Sequence, residues 1–227
     1  MKTKIMRYLV LTILVLISSN LLSQSLPQKI DVDNQIIHND GYILSYNETC
    51  EQPNWVYYVI TPEDLNGTKV KRKNVFKKDT LVPTGSATLE DYKGSGYDRG
   101  HLKASADESC DREQMDATFK MSNMSPQNPS FNRGIWKKLE NYVRNETLKS
   151  DSILVITGGV LNEPDKLEKI GENKVCVPDF FYKVIYIYKD GKTTTYAFLF
   201  KNEKSKESLS SFRVEVGVLE KFIGYTF

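Results

Sequence analysis

Two histidines, three cysteines and two tryptophans are all that a chain of 227 residues holds of these side chains. Each scarcity narrows the chemistry open to it. Cys50, Cys110 and Cys176 lack the close pairs that hold a structural zinc ion. In an exported chain two of them can pair and leave the third free, in a connectivity that spacing does not reveal. Cys110 near His101 invites a cysteine–histidine protease, but nothing else in the sequence supports one, and a buried or disulfide-bonded cysteine is the simpler reading. Low-complexity tracts and internal repeats are absent. A net charge of only +2 lacks the strong positive bias by which many nucleic-acid-binding domains announce themselves. Attraction to phosphate must then come from local patches.

Long apolar runs are also lacking, with one exception at the N-terminus. Lys2, Lys4 and Arg7 precede an apolar stretch over 8–17, and Ser18, Ser19 and Asn20 close it. A basic start, a short apolar run and a small-residue boundary read as a signal peptide over 1–23. The alternative is an uncleaved anchor, which those three polar residues interrupt. The expectation is an exported protein, periplasmic or extracellular, with no membrane segment in its mature form. Loss of Lys2, Lys4 and Arg7 turns the net charge from +2 to −1. The remaining chain, about two hundred residues, is long enough for one domain with a real core. It divides into a polar tail over 24–39 and a domain over 40–227.

Dense β-branched and aromatic runs over 43–46 and 55–60 read as partner strands. The run over 153–157, ended by Gly158-Gly159, reads as a buried central strand. Asp190-Gly191 between the runs 180–188 and 193–200 is a hairpin signal. Ile135, Trp136, Leu139, Tyr142 and Val143 recur at helical spacing, which predicts a helix over 132–148 that begins after Pro126 and Pro129. A shorter helix is expected over 111–119. His38 is placed before the first strand, exposed or structural, and Trp136 in the core. Together these elements give an α+β fold, a mainly antiparallel central sheet flanked by helices.

Asp98-Arg99-Gly100-His101 joins an acid, a cation, a glycine and the second histidine, and a glycine turn can bring those side chains together. An imidazole is the natural proton acceptor near neutral pH. A guanidinium beside it grips phosphate bidentately. A base next to an anion clamp points to phosphodiester chemistry. Lys69, Lys71, Arg72, Lys73, Lys77 and Lys78 crowd ten residues upstream; by itself that run reads best as a hairpin edge guarded by lysines.

Three segments then follow one another in order: Asp98-Arg99-Gly100-His101, Ser122-Asn123-Met124-Ser125-Pro126-Gln127, and the stretch from Asn132 through Trp136 to Leu139-Glu140. This arrangement closely resembles the DNA/RNA non-specific endonuclease family, the sugar-non-specific nucleases with a ββα-metal (His-Me finger) site. Pro53, Trp55-Val56 and Thr157-Gly158-Gly159 extend the likeness over most of the chain. One departure follows the histidine, where Ala104 stands in place of a proline often found there.

The resemblance implies a metal-dependent endonuclease that hydrolyses DNA and RNA without sequence specificity and leaves 5′-phosphate ends. By the same resemblance His101 is the general base. Asn132 is the direct ligand of one divalent cation, Mg2+ or alternatively Mn2+, and Glu140 holds that ion's waters. Asn123 positions the histidine and phosphate, Arg99 and Arg144 bind phosphate oxygens, and Arg72 reaches the substrate strand. Asp98 braces the turn or pairs with a neighbouring cation. The alternative for Arg144 is a simple ion pair with Glu140, one helical turn before it. The implied partners are DNA and RNA, contacted through the backbone; a homodimer and a protein inhibitor are left open. Two competing readings remain, a nucleic-acid-binding surface protein on the same fold with an inactive site, and a phosphodiesterase for small nucleotides.

Overall fold

Side chains alternate between two cores along every central strand, and that alternation organises the molecule. Val56, Tyr58 and Ile60 point into one core, and Trp55 and Tyr57 into the other. Ile153 and Val155 are likewise separated from Leu154 and Ile156, and Phe181, Ile185 and Ile187 from Tyr182, Val184 and Tyr186. A sheet apolar on both faces must be covered on both.

The computed structural model describes residues 26–28 and 35–227; the expected signal peptide over 1–23 lies outside them. The main sheet contains β1 (Gln35–Asn39), β2 (Tyr42–Asn47), β3 (Gln52–Ile60), β6 (Ser152–Gly159), β9 (Phe180–Lys189), β10 (Lys192–Lys201) and β11 (Arg213–Val214). They lie in the order β1-β2-β3-β6-β9-β10-β11, every neighbouring pair antiparallel. β6 is central and buried along its whole length. β4 (Asp98–His101) and β5 (Met124–Gln127) form a separate ribbon, as do the short β7 (Lys169–Ile170) and β8 (Val175–Cys176). The helices are α1 (Pro62–Asn66), α2 (Leu89–Tyr92), α3 (Arg112–Ala117), α4 (Lys137–Thr147) and α5 (Val216–Ile223). Leu219 and Ile223 of α5 cover one face of the sheet; Leu139 and Val143 of α4 pack into the other. No helix among the described residues is long and apolar enough to cross a membrane. The α+β class and the antiparallel sheet agree with the sequence reading.

At Asp190 and Gly191 φ is 51° and 71°. Both central residues are thus left-handed, as a two-residue turn matched to strand twist requires. Cys50 and Cys176 form a disulfide, and Cys110 is free.

Several expectations are corrected. The polar tail does not run to residue 39: Gln35–Asn39 is β1, and its register against β2 carries exposed His38 opposite Ile43. Asp98–His101 is a strand and not a turn, because β5 supplies a full set of pairing partners. The lysine-rich run is no hairpin edge. It is an irregular loop whose contact with a strand-like partner is the bridge Lys77↔Lys120. The helical segment also begins earlier than expected. Pro129 opens a turn, Pro129–Phe131, capped by Asn128, whose Oδ1 accepts from Ser130 N at 2.9 Å. Proline lacks an N–H that the first helical position does not use, so it starts a helix well. A π-helical segment, Asn132–Trp136, then leads into α4, with Gly134 outside helical geometry.

Candidate active site

The site grows from the β4–β5 ribbon. Alternation along β4 sends Arg99 and His101 to one side. Gly100 between them faces Gln127, and a Cβ there would fall 2.2 Å from the Gln127 carboxamide carbon, so a larger residue would have to displace that buried side chain.

The backbone after His101 is gripped from three directions. Trp136 Nε1 donates to the His101 carbonyl at 3.3 Å, and Lys183 Nζ donates to the Leu102 carbonyl at 3.3 Å. Asn123 Oδ1 accepts from Lys103 N at 3.0 Å, while its Nδ2 donates to the carbonyls of Lys103 at 3.0 Å and Thr118 at 2.8 Å. These contacts hold the segment where the proline is missing. Asn123 is fully buried, so it positions the chain around the histidine and does not reach a phosphate itself.

The His101 ring lies edge-on to Phe119 at 4.8 Å and tilted to Phe76 at 5.7 Å. Burial, then the charges of Arg72 and Arg99, lower its pKa to about 3. The imidazole is therefore uncharged at neutral pH. Arg99 stacks on Phe76 at 4.5 Å, and Arg72 stacks on Phe119 at 5.2 Å. The aromatic pair that encloses the base thus also carries two cations.

Asp98 pairs as the sequence suggested. Its Oδ2 accepts from Asn132 Nδ2 and Arg133 Nε, both at 2.9 Å. Because the amide nitrogen of Asn132 is committed to Asp98, its carbonyl oxygen is left for another partner. Glu140 lies on α4, and burial, then the charge of Asp107, raises its pKa, while Lys183 and Arg144 oppose the rise. Arg144 does not form the simple pair with Glu140. Its Nη1 donates to Asp107 at 2.6 Å and its Nη2 to Asn141 at 2.7 Å.

Arg72, Arg99, His101, Asn132, Glu140 and Arg144 line one cleft of about 460 Å3. Of the residues singled out by sequence for the site, Asn123 and Asp98 are outside its lining. Four contributors were missed. Lys183 carried a readable signal, since it interrupts the inward apolar positions Phe181, Ile185 and Ile187 of β9. Asp107 closes the segment after His101 that the family resemblance covers, but nothing there marks it as the partner of Arg144; Phe76 and Phe119 carried no signal that distinguishes them from ordinary core residues.

An imidazole, cations on either side of it and the side-chain oxygens of Asn132 and Glu140 thus converge on one cleft. A family model described as DNA/RNA non-specific endonuclease matches residues 18–227. The chain belongs to this family. It is 33% identical over 205 residues to human mitochondrial Endonuclease G, covering 85% of this chain and 69% of that one. It is 35% identical over 205 residues to Nuclease C1 of Cunninghamella echinulata, covering 84% and 81% respectively. A nuclease of Nostoc sp. is 32% identical over 219 residues, covering 90% and 77%. A solved structure of an EndoG/EndoGI complex superposes with a TM-score of 0.77 at 32% identity, covering 87% of each chain.

Proposed function

We propose that this nuclease is an exported, divalent-metal-dependent endonuclease that cuts DNA and RNA without sequence preference and leaves 5′-phosphate ends. The observation that carries the reading is the convergence of neutral His101, three arginines and the oxygen donors of Asn132 and Glu140 on one cleft.

The donor set fits a hard cation. Asn132 offers its carbonyl oxygen and Glu140 a carboxylate, and among the described residues no group of three or more His, Cys, Asp or Glu could hold a metal. Few protein ligands suit an ion that keeps most of its water, as magnesium does. Asn132 would hold it directly and Glu140 through water. When bound, such an ion supplies Lewis-acid stabilisation of charge on the phosphate and on the departing oxygen.

The chain's own residues do the rest. His101 takes a proton from the attacking water, for which a neutral imidazole is required. Arg72, Arg99 and Arg144 bind phosphate oxygens. A site that reads phosphate and no base edge cannot select sequence, and one that makes no demand on the 2′ position accepts RNA as well as DNA. The basic, apolar N-terminal segment and the Cys50–Cys176 disulfide support export to an oxidising compartment.

Digestion of plasmid DNA and structured RNA with magnesium or EDTA, beside the His101→Ala variant, tests the reading. Metal-dependent cutting of both substrates that is lost in the variant is expected. Cutting that survives His101→Ala overturns the assignment of the base. Binding without cutting by the unmutated chain overturns the enzyme.

A further inference from the structure

Arg144 enters the cleft with its guanidinium fixed from behind. Nη1 donates to Asp107 Oδ1 at 2.6 Å and Nη2 to Asn141 Oδ1 at 2.7 Å. The Asp107 side chain is only 2% exposed and that of Arg144 16%. The second carboxylate oxygen of Asp107 is also taken, accepting the Tyr58 hydroxyl at 3.0 Å. Tyr58 projects from β3, Asp107 from the 3-10 turn that follows the His101 segment, and Arg144 from α4. One buried carboxylate therefore ties together the sheet, the segment bearing the base and the helix bearing Glu140.

Stability alone gives a poor account of this arrangement. Burying a carboxylate and a guanidinium is costly, and apolar residues of equal size often serve a fold as well or better. Orientation is what the arrangement supplies. A guanidinium carries five N–H donors in a rigid plane. Commitment of one donor on each Nη fixes that plane and leaves further donors on the same fork for the cleft. A free arginine on a helix surface would have to be ordered at each encounter with substrate, and pre-ordering removes that cost from the reaction. Asp107 also takes the ion pair that the sequence offered to Glu140.

We infer that Asp107 is a positioning residue for phosphodiester cleavage, holding Arg144 in the orientation that meets the reacting phosphate, with Tyr58 holding Asp107 in turn. The inference rests on the nuclease reading above and assigns a role to two residues outside the cleft-lining set.

A double-mutant cycle on cleavage rate tests it, using unmutated protein, Asp107→Asn, Arg144→Ala and the pair, with residual activity read at high enzyme concentration. If Asp107 acts through Arg144, Asp107→Asn lowers kcat by about tenfold or more with little change in KM. In the Arg144→Ala background the same change costs less than about twofold, because groups acting as a unit are strongly non-additive. Equal losses in both backgrounds overturn the inference and leave Asp107 a purely structural residue. If Asp107→Asn fails to fold, Tyr58→Phe replaces it in the cycle, since that change removes one hydroxyl and no charge. Its partial loss of kcat must likewise vanish in the Arg144→Ala background. Nitrogen NMR of the Arg144 guanidinium gives a readout independent of turnover. A restrained guanidinium in the unmutated chain that loosens in Tyr58→Phe supports the bracket, and one already mobile in the unmutated chain overturns it. An unmutated chain that cuts no nucleic acid sinks the nuclease reading, while the NMR result still decides the bracket.

Discussion

Asn132 and Asp98 share a hydrogen bond of 2.9 Å from amide nitrogen to carboxylate oxygen, and the same oxygen accepts from Arg133 Nε. The bond fixes the direction of the Asn132 carbonyl, since a planar amide whose nitrogen is committed has no freedom left in its oxygen. The acid of the β4 motif therefore acts on the helix that faces it.

Substituting Asp98 should weaken the metal site proposed at Asn132 without removing either of its ligands. Loss of a group that orients a metal ligand costs about 10- to 100-fold in affinity or activity. For Asp98→Ala, the magnesium concentration giving half-maximal cleavage should rise by about that factor. Asp98→Asn, which keeps an acceptor, should rise less. A magnesium titration of the cleavage rate checks both, and an unchanged half-saturation in Asp98→Ala would remove Asp98 from any role in orienting Asn132.

The sequence carried the central strands and both strands of the β9–β10 hairpin because each is a continuous apolar or alternating run that only a sheet can bury. It carried His101, Arg99, Asn132 and Glu140 because their motifs are short and ordered. It did not carry Asp107 as the partner of Arg144. The two are 37 residues apart, and a nearer acid, Glu140, offered the same charge at helical spacing. Nor did it carry the aromatic enclosure of the base. Phe76 and Phe119 come from separate segments, one within the irregular lysine-rich loop and one after α3, and only tertiary packing brings them to His101. The early start of the helix was missed through treating Pro129 as a breaker, although its missing N–H costs nothing at a first position.

The protonation of His101 gives a signed pH prediction. Its pKa in the folded chain is about 3, and in the unfolded chain it returns to about 6.5. Between those values the unfolded chain binds more protons, so this group makes stability rise with pH, by at most about 1.4 kcal/mol per pH unit. Above the unfolded value its contribution is flat. His101→Gln should therefore unfold at a lower pH than the unmutated chain in acid titrations. In the folded protein the imidazole should remain neutral at pH 5, which the pH dependence of its ring carbon-bound proton shifts would show. An inflection near 6.5 for His101 in the folded state would contradict the burial argument.

The disulfide makes a prediction about stability. Cys50 and Cys176 close a loop with a sequence separation of 126, and they join the turn before β3 to β8. Removing a native disulfide typically costs about 2–5 kcal/mol, in large part by releasing the unfolded chain. Denaturant unfolding with and without a thiol reductant should differ by an amount in that range, and Cys110→Ser should leave the difference intact because Cys110 is free. Equal midpoints in the two conditions would show that the cross-link contributes nothing.

Salt dependence distinguishes the arginines that meet phosphate from charges elsewhere on the surface. Each phosphate neutralised on duplex DNA contributes about 0.9 to the slope of log affinity against log salt. Arg72 and Arg99 line the cleft and stack on the aromatic pair around His101, and among the described residues neither forms a salt bridge with an acid. Arg72→Ala and Arg99→Ala should each lower the slope by about 1, measured on uncut duplex in EDTA. Lys166 is the control, an exposed lysine paired with Glu163 at 2.5 Å and outside the cleft lining; Lys166→Ala should leave the slope where it was. If Lys166→Ala lowers the slope as much as Arg72→Ala does, binding is spread over the general surface, and the cleft loses its claim to be where the backbone lies.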